Sequence, residues 1–239
     1  VHEANIVQLT HICLSGLLVG GFEIEVTTSI EDFEERLACA EKLPNHPMIS
    51  PSWHDFSPTE VFALVFRVDG QDIGGVAARF IDLGESSLAD HWARSYKRLY
   101  GGMLETPVHN FSSIPRNEIS GRIVYLGELF LKQEFRDRSL NWRAVFHYLF
   151  SLCFLRWRPD WIYGFVRQKD VLDGKASRYG FTRQHVGPQE WITSKPRRSS
   201  SEYLVAVPRR DFHDAAAFYA RNPAALNLKQ EVVRPESSS

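Results

Sequence analysis

The chain has 239 residues, 44% of them hydrophobic and 24% charged, with a formal net charge of −1. This balance excludes a mainly disordered chain or a long coiled coil, and the length suits one domain with an elaboration. Charge is unevenly placed: residues 1–120 carry 8 basic and 17 acidic side chains, whereas 121–169 carry 9 basic and 4 acidic. A local cationic stretch suits a phosphate-bearing ligand or an acidic partner better than duplex nucleic acid, which is not expected as a partner.

Residues 1–21 form an apolar lead-in with no clear period. The run from Ile12 to Val19 is broken by Ser15 and Gly16 and is too short to span a bilayer, so no membrane partner is expected. Cys13, Cys39 and Cys153 are odd in number and widely spaced, which gives no disulfide framework and makes a cytoplasmic location the expectation. Phe22–Thr27 alternates as a strand, and Ser29 with Asp32 opens a helix that stops before Pro44. A loop with four prolines follows over residues 44–59. Val61–Val68 and Ile73–Phe80 flank Asp69-Gly70, a strong two-residue hairpin signal.

Residues 82–121 read as an insertion holding one helix, Ser87–Tyr100, closed by Gly101-Gly102. Then come a strand over Arg122–Leu131, a helix over Ser139–Trp157, a strand over Trp161–Val166 and a short helix over Val171–Tyr179. Phe181–Ile192 and Glu202–Val207 are the last strands, with a loop at Lys195–Ser201 between them. Residues 208–239 are expected to be a helix, Asp211–Arg221, and a disordered tail.

One motif lies in the basic stretch and a second just after it. Glu128-Leu129-Phe130-Leu131 runs into Lys132-Gln133-Glu134-Phe135-Arg136-Asp137-Arg138-Ser139-Leu140-Asn141, and a helix ends Ala176-Ser177-Arg178-Tyr179-Gly180-Phe181. With the element order, these resemble the GCN5-related N-acetyltransferase superfamily over residues 22–207. Its signature is an E-x-x-V strand, then x-P-x-Y/F-R-G-x-G-x-G and a helix, and later Y-x-x-x-G-F. Phe135, Arg136, Gly180 and Phe181 match. The glycine positions hold Asp137, Ser139 and Asn141, and the usual tyrosine position holds Ala176.

The resemblance implies a mixed central α/β sheet of about six to seven strands flanked by helices, with the long insertion between the third and fourth core strands. It implies an acyl-coenzyme A donor, its pantetheine arm on Phe130 and Leu131 where two parallel strands splay. The phosphates would meet Arg136, Asp137, Arg138, Ser139, Leu140 and Asn141, although the Asp137 carboxylate needs a neighbouring arginine to neutralise it. Glu128 stands where the family places its general base. Burial there would raise its pKa, unless Arg122 or Arg167 pairs with it structurally. Tyr179, three residues past the usual acid, would protonate the thiolate or pack. No metal is expected: His46 and His54 with Asp55 lack zinc-ligand spacing.

Three functions fit. The first is N-acyl transfer of an acetyl or other short acyl group from acyl-coenzyme A to a small-molecule or peptide primary amine through a ternary complex, in a possible homodimer. The second takes its acyl group from an acyl carrier protein, as acyl-homoserine lactone and N-acyl amino acid synthases do. Arginines 136, 138, 143, 156 and 158 would then meet an acidic carrier surface, although Arg143, Arg156 and Arg158 also read as solvated helix charges. The third is a non-catalytic binding or regulatory member of the same fold.

Overall fold

The computed structural model describes residues 2–100, 107–136, 140–192 and 199–228. The lead-in is a helix, α1 (His2–Val19), which buries Ile6, Leu9, Cys13 and Leu17 on one stripe. β1 (Glu23–Thr27) follows, then α2 (Ile30–Cys39), where Ser29 Oγ accepts from Asp32 N as its cap. β2 (Val61–Val68) and β3 (Gln71–Asp82) form the expected hairpin. Asp69 and Gly70 both take left-handed φ (51° and 76°), the pairing whose twist suits antiparallel strands.

The insertion holds α3 (Leu88–Tyr100), β4 (Val108–Phe111) and the short α4 (Ser113–Asn117). β5 (Arg122–Leu131), α5 (Trp142–Trp157) and β6 (Trp161–Val166) come next. The expected helix at 171–179 is two, α6 (Gln168–Leu172) and α7 (Lys175–Tyr179), because Gly174 turns the chain at φ 72°. The expected strand at 181–192 is likewise two, β7 (Arg183–Val186) and β8 (Gln189–Trp191), divided at Gly187 with φ 56°. β9 (Tyr203–Pro208) and α8 (Arg209–Arg221) complete the fold. The expected tail disorder and most of the Lys195–Ser201 loop fall outside the described residues.

Seven strands form one mixed sheet in the order β1-β2-β3-β5-β6-β9-β7, while β4 and β8 pair as a separate ribbon. β5 and β6 are parallel, and the other neighbours in the large sheet are antiparallel. One apolar layer, from α1, α5 and α8, includes Leu9, Leu149, Phe150 and Phe212. The other, from α2, α3 and the 44–59 loop, includes Phe33, Ile49, Trp92 and Tyr96. β2 is buried almost throughout because it is covered on both faces. The insertion is thus part of the core, with Trp92 and Tyr96 fully buried. Among the described residues, no helix is long and apolar enough to cross a membrane.

Candidate active site

The parallel ladder runs from Ile123↔Trp161 to Leu126↔Gly164 and stops there. β5 continues along β3 to Leu131, and β6 continues along β9 to Val166, so the two strands part in the middle of the sheet. A bulge coincides with the parting. On β3 only Val76 lies between the partners of Gly127 and Phe130, where β5 has Glu128 and Leu129. The extra residue adds a sharp bend, and Glu128 takes φ 63°. For a residue with a Cβ that conformation costs about 1–2 kcal/mol, so local contacts have to hold it.

Those contacts come from the end of α2. Glu41 takes φ 65°, and the N–H groups of Glu41 and Lys42 donate to Ala38 O and Leu37 O, a helix stop that places Lys42 one residue beyond the left-handed position. Lys42 Nζ then donates to Glu128 Oε2 at 2.5 Å, Asn45 Oδ1 at 2.9 Å and Leu43 O at 3.1 Å. His46 N donates to the other carboxylate oxygen of Glu128 at 2.7 Å. The partner of Glu128 is therefore Lys42, and not Arg122 or Arg167 as the sequence suggests. Arg122 N donates instead to Asp160, and Arg167 pairs with Asp170. Each carboxylate oxygen of Glu128 keeps one lone pair for a ligand.

The parting encloses a cavity of about 310 Å³, lined by Lys42, Glu128, Phe130, Gly164, Tyr179 and Glu202 among others. Tyr179 stacks on Phe146 with centroids 4.3 Å apart and planes 6° apart, which fixes the ring in the cavity wall. Burial, with a smaller push from the Asp170 carboxylate, raises the phenol above its usual range, so it is protonated at neutral pH. Ala176, at the position where a tyrosine is usual, is fully buried and presents no acid.

A second cavity of about 630 Å³ shares Leu129, Phe130, Phe165, Val166 and Tyr179 with the first and is also lined by Arg136, Arg167, Asp170, Lys175 and Arg178. Four cations against one carboxylate make this mouth cationic. Asp170 is the exception: burial pushes its carboxyl up, but hydrogen bonds from Lys175 and Arg167 outweigh that and hold it below the usual value. Arg136 lines this mouth, its Nε donating to Leu131 O at 3.0 Å. Asp137, Arg138 and Ser139 lie outside the described residues.

Leu140 is buried. Asn141 caps α5, its Oδ1 accepting from Ala144 N at 3.1 Å, so the helix begins at Trp142, three residues later than the expected Ser139. Its Nδ2 donates to Leu226 O and Asn227 O, and Arg143 donates to Ala225 O. The C-terminal segment therefore crosses the start of α5, next to the expected phosphate position. Arg143 is engaged there rather than solvated. Arg156 lies over the Trp157 and Phe62 rings, and Arg158 pairs with Glu3. Arg143 and Arg156 stand 13 residues apart on one helix, about 20 Å, so these two are not neighbours.

Sequence reasoning missed Lys42, Asn45, Lys175 and Arg178. The last two precede Tyr179 on one short helix and were legible as a basic i, i+3 pair. Lys42 gives no signal, because its partner is 86 residues away. His46 and His54 are separately engaged: Tyr100 hydroxyl lies 3.0 Å from the His46 ring, and His54 meets Pro47 O, Arg79 and Arg98.

No protein-family model matches the chain, and no curated protein matches it. Solved structures do resemble it. An agmatine N-acetyltransferase is 12% identical, covering 77% of this chain and 99% of that one, with a TM-score of 0.46. FeeM, an N-acyl amino acid synthase from uncultured soil microbes, is 8% identical over 84% of this chain and 97% of that one, with a TM-score of 0.44. A Drosophila melanogaster polyamine N-acetyltransferase is 12% identical over 78% and 100%, with a TM-score of 0.45. At these values the likeness extends to the general course of the chain and no further. By its own strand order and parallel pair, the chain has the mixed α/β architecture that the resemblance to the GCN5-related N-acetyltransferases implies.

Proposed function

We propose that the chain is an N-acyltransferase that holds a thioester in the gap between β5 and β6. The observation that carries this is the pair of cavities with a common wall at Leu129, Phe130, Phe165, Val166 and Tyr179, one holding a buried carboxylate at the bulge and the other a cationic mouth. From Gly127 onward the β5 edge no longer pairs with β6, so its backbone groups are free to pair with the amides of a pantetheine arm. Phe130 and Leu131 lie on that edge. Arg136, Lys175, Arg178 and Arg167 would hold phosphate at the mouth.

In the reaction the acceptor nitrogen attacks the thioester carbonyl, a C–N bond forms and the C–S bond breaks. The proton lost by the amine passes to Glu128, directly or through water, and the Tyr179 hydroxyl donates to the departing thiolate. Thiol release from acetyl-coenzyme A, measured across a broad panel of primary amines, tests this. Amine-dependent release supports it, while no release with any amine and no donor binding up to millimolar concentration refutes it.

The carrier-protein reading keeps one specific support. Asn141 and the carbonyls of residues 225–227 engage the start of α5, where a pyrophosphate would otherwise meet helix amides. A donor with a single phosphate needs less from that helix end. Comparing acetyl-coenzyme A with an acylated carrier protein separates the two, and thioester binding without turnover favours the non-catalytic reading.

A further inference from the structure

Lys42 and Glu128 face the cavity as an ion pair, with 10% and 7% of their side chains exposed. An acceptor amine enters neutral water as an ammonium, and here it meets a carboxylate that already has a cation. If it takes a free lone pair on Glu128, it stands close to Lys42, and two like charges in a half-enclosed site repel. If it displaces Lys42 instead, that ammonium keeps only the neutral oxygens of Leu43 and Asn45, and a buried charge loses its counter-ion. Both routes penalise a plain amine.

An acceptor with a carboxylate beside its amine avoids both penalties. Four charges then alternate around a ring: Glu128, the substrate ammonium, the substrate carboxylate and Lys42. The Lys42–Glu128 pair stays intact. Of the three oxygens that Lys42 now serves, the exposed Leu43 carbonyl can be passed to water, freeing one N–H for the carboxylate.

Asn45 supplies an independent observation. Its Oδ1 accepts from Lys42, which fixes the amide orientation, and its Nδ2 is buried with no hydrogen-bond partner among the described residues. A buried N–H without a partner is costly and uncommon. Asn45 is not among the residues that line the cavity, so it acts from behind Lys42, holding the ammonium in place at the cavity wall.

We infer that the acceptor is a zwitterion, an amino acid or close analogue, whose carboxylate is held by Lys42 while its amine is presented to Glu128. The fate of the amine rests on the acyltransferase reading; the binding preference does not. Glu202 also lines the cavity and attracts cations without distinction; if it dominates, the preference reverses.

The test is calorimetric titration, without donor, of leucine against isoamylamine and phenylalanine against phenethylamine. The wild type is expected to bind each amino acid about tenfold or more tightly than its decarboxylated counterpart. Lys42→Met is expected to abolish or invert that ratio. Should it fold poorly, Asn45→Asp keeps the acceptor for Lys42, sets a competing negative charge beside that ammonium and is expected to weaken only the amino acids. Equal or tighter binding of the plain amines, binding of neither class at millimolar concentration, or an unchanged ratio in both variants overturns the inference. Thiol release with the same compounds is read separately. Selective binding without turnover from either acetyl-coenzyme A or an acylated carrier protein counts against the acyltransferase reading and leaves the zwitterion site standing, whereas turnover of plain amines in preference to amino acids supports that reading and overturns the zwitterion site.

Discussion

Replacing Glu128 with Gln, Lys42 with Met, and both together measures how strongly the bulge is tied to the α2–β2 loop. At 2.5 Å and an effective dielectric of about 20, the pair attracts by roughly 6–7 kcal/mol before desolvation is subtracted. Both side chains are nearly buried, so removing one charge strands the other, which costs about 3–5 kcal/mol. Glu128→Gln keeps an acceptor for His46 N, so its loss falls at the lower end, about 3 kcal/mol, or a fall in Tm of about 6–12 °C for a chain of this size. The double variant removes both charges and should recover much of the loss, giving a coupling energy of about 2–4 kcal/mol. Urea unfolding of the four proteins reads each term. A coupling energy below about 0.5 kcal/mol would mean that the contact is incidental, and that neither the bulge geometry nor the acceptor site depends on it.

Other outcomes follow from the same geometry. Tyr179→Phe keeps the stack on Phe146 and should leave stability within about 0.5 kcal/mol of wild type, while lowering kcat about ten- to hundredfold; unchanged turnover would reduce Tyr179 to packing. Arg178→Ala and Lys175→Ala should each raise the donor KM about fivefold to tenfold with kcat little moved, and a fall in kcat alone would contradict a binding role. His147, buried in α5 with Nδ1 donating to Arg143 O, has its pKa lowered by burial from 6.5 to about 4. Between those values the unfolded chain takes a proton that the folded ring refuses. Stability is therefore intact above pH about 6.5 and falls as pH drops toward 4, by up to about 3 kcal/mol for this ring. Unfolding midpoints across that window should slope more steeply in the wild type than in His147→Gln, and equal slopes would refute the assignment.

Local chemistry made much of the fold legible in the sequence. Asp69-Gly70, the Ser29 cap and the apolar runs of β5 and β6 each encode their geometry within a few residues, and the structure places them accordingly. α1 was not legible, because small and polar residues such as Ser15 and Gly16 blur its apolar stripe. Its helicity rests on packing against α5 and α8. The divisions at Gly174 and Gly187 went unread because a lone glycine inside a patterned run signals a break only weakly. At the site, the positions of Glu128, Arg136 and Tyr179 were legible from motif spacing. The side chains that set the character of Glu128 were not: Lys42, Asn45 and His46 arrive from a loop that no periodicity connects to β5.

The most direct measurement is a crystal structure with acetyl-coenzyme A bound. The pantetheine arm is expected along the β5 edge beyond Leu126, with the thioester carbonyl within about 4 Å of Glu128 or one water away, the sulfur beside Tyr179 and phosphate among Arg136, Lys175 and Arg178. A donor seated elsewhere, for example in the cleft beside Arg79 and Arg98, with the gap between β5 and β6 empty, would contradict the assignment of that gap as the acyl-transfer site.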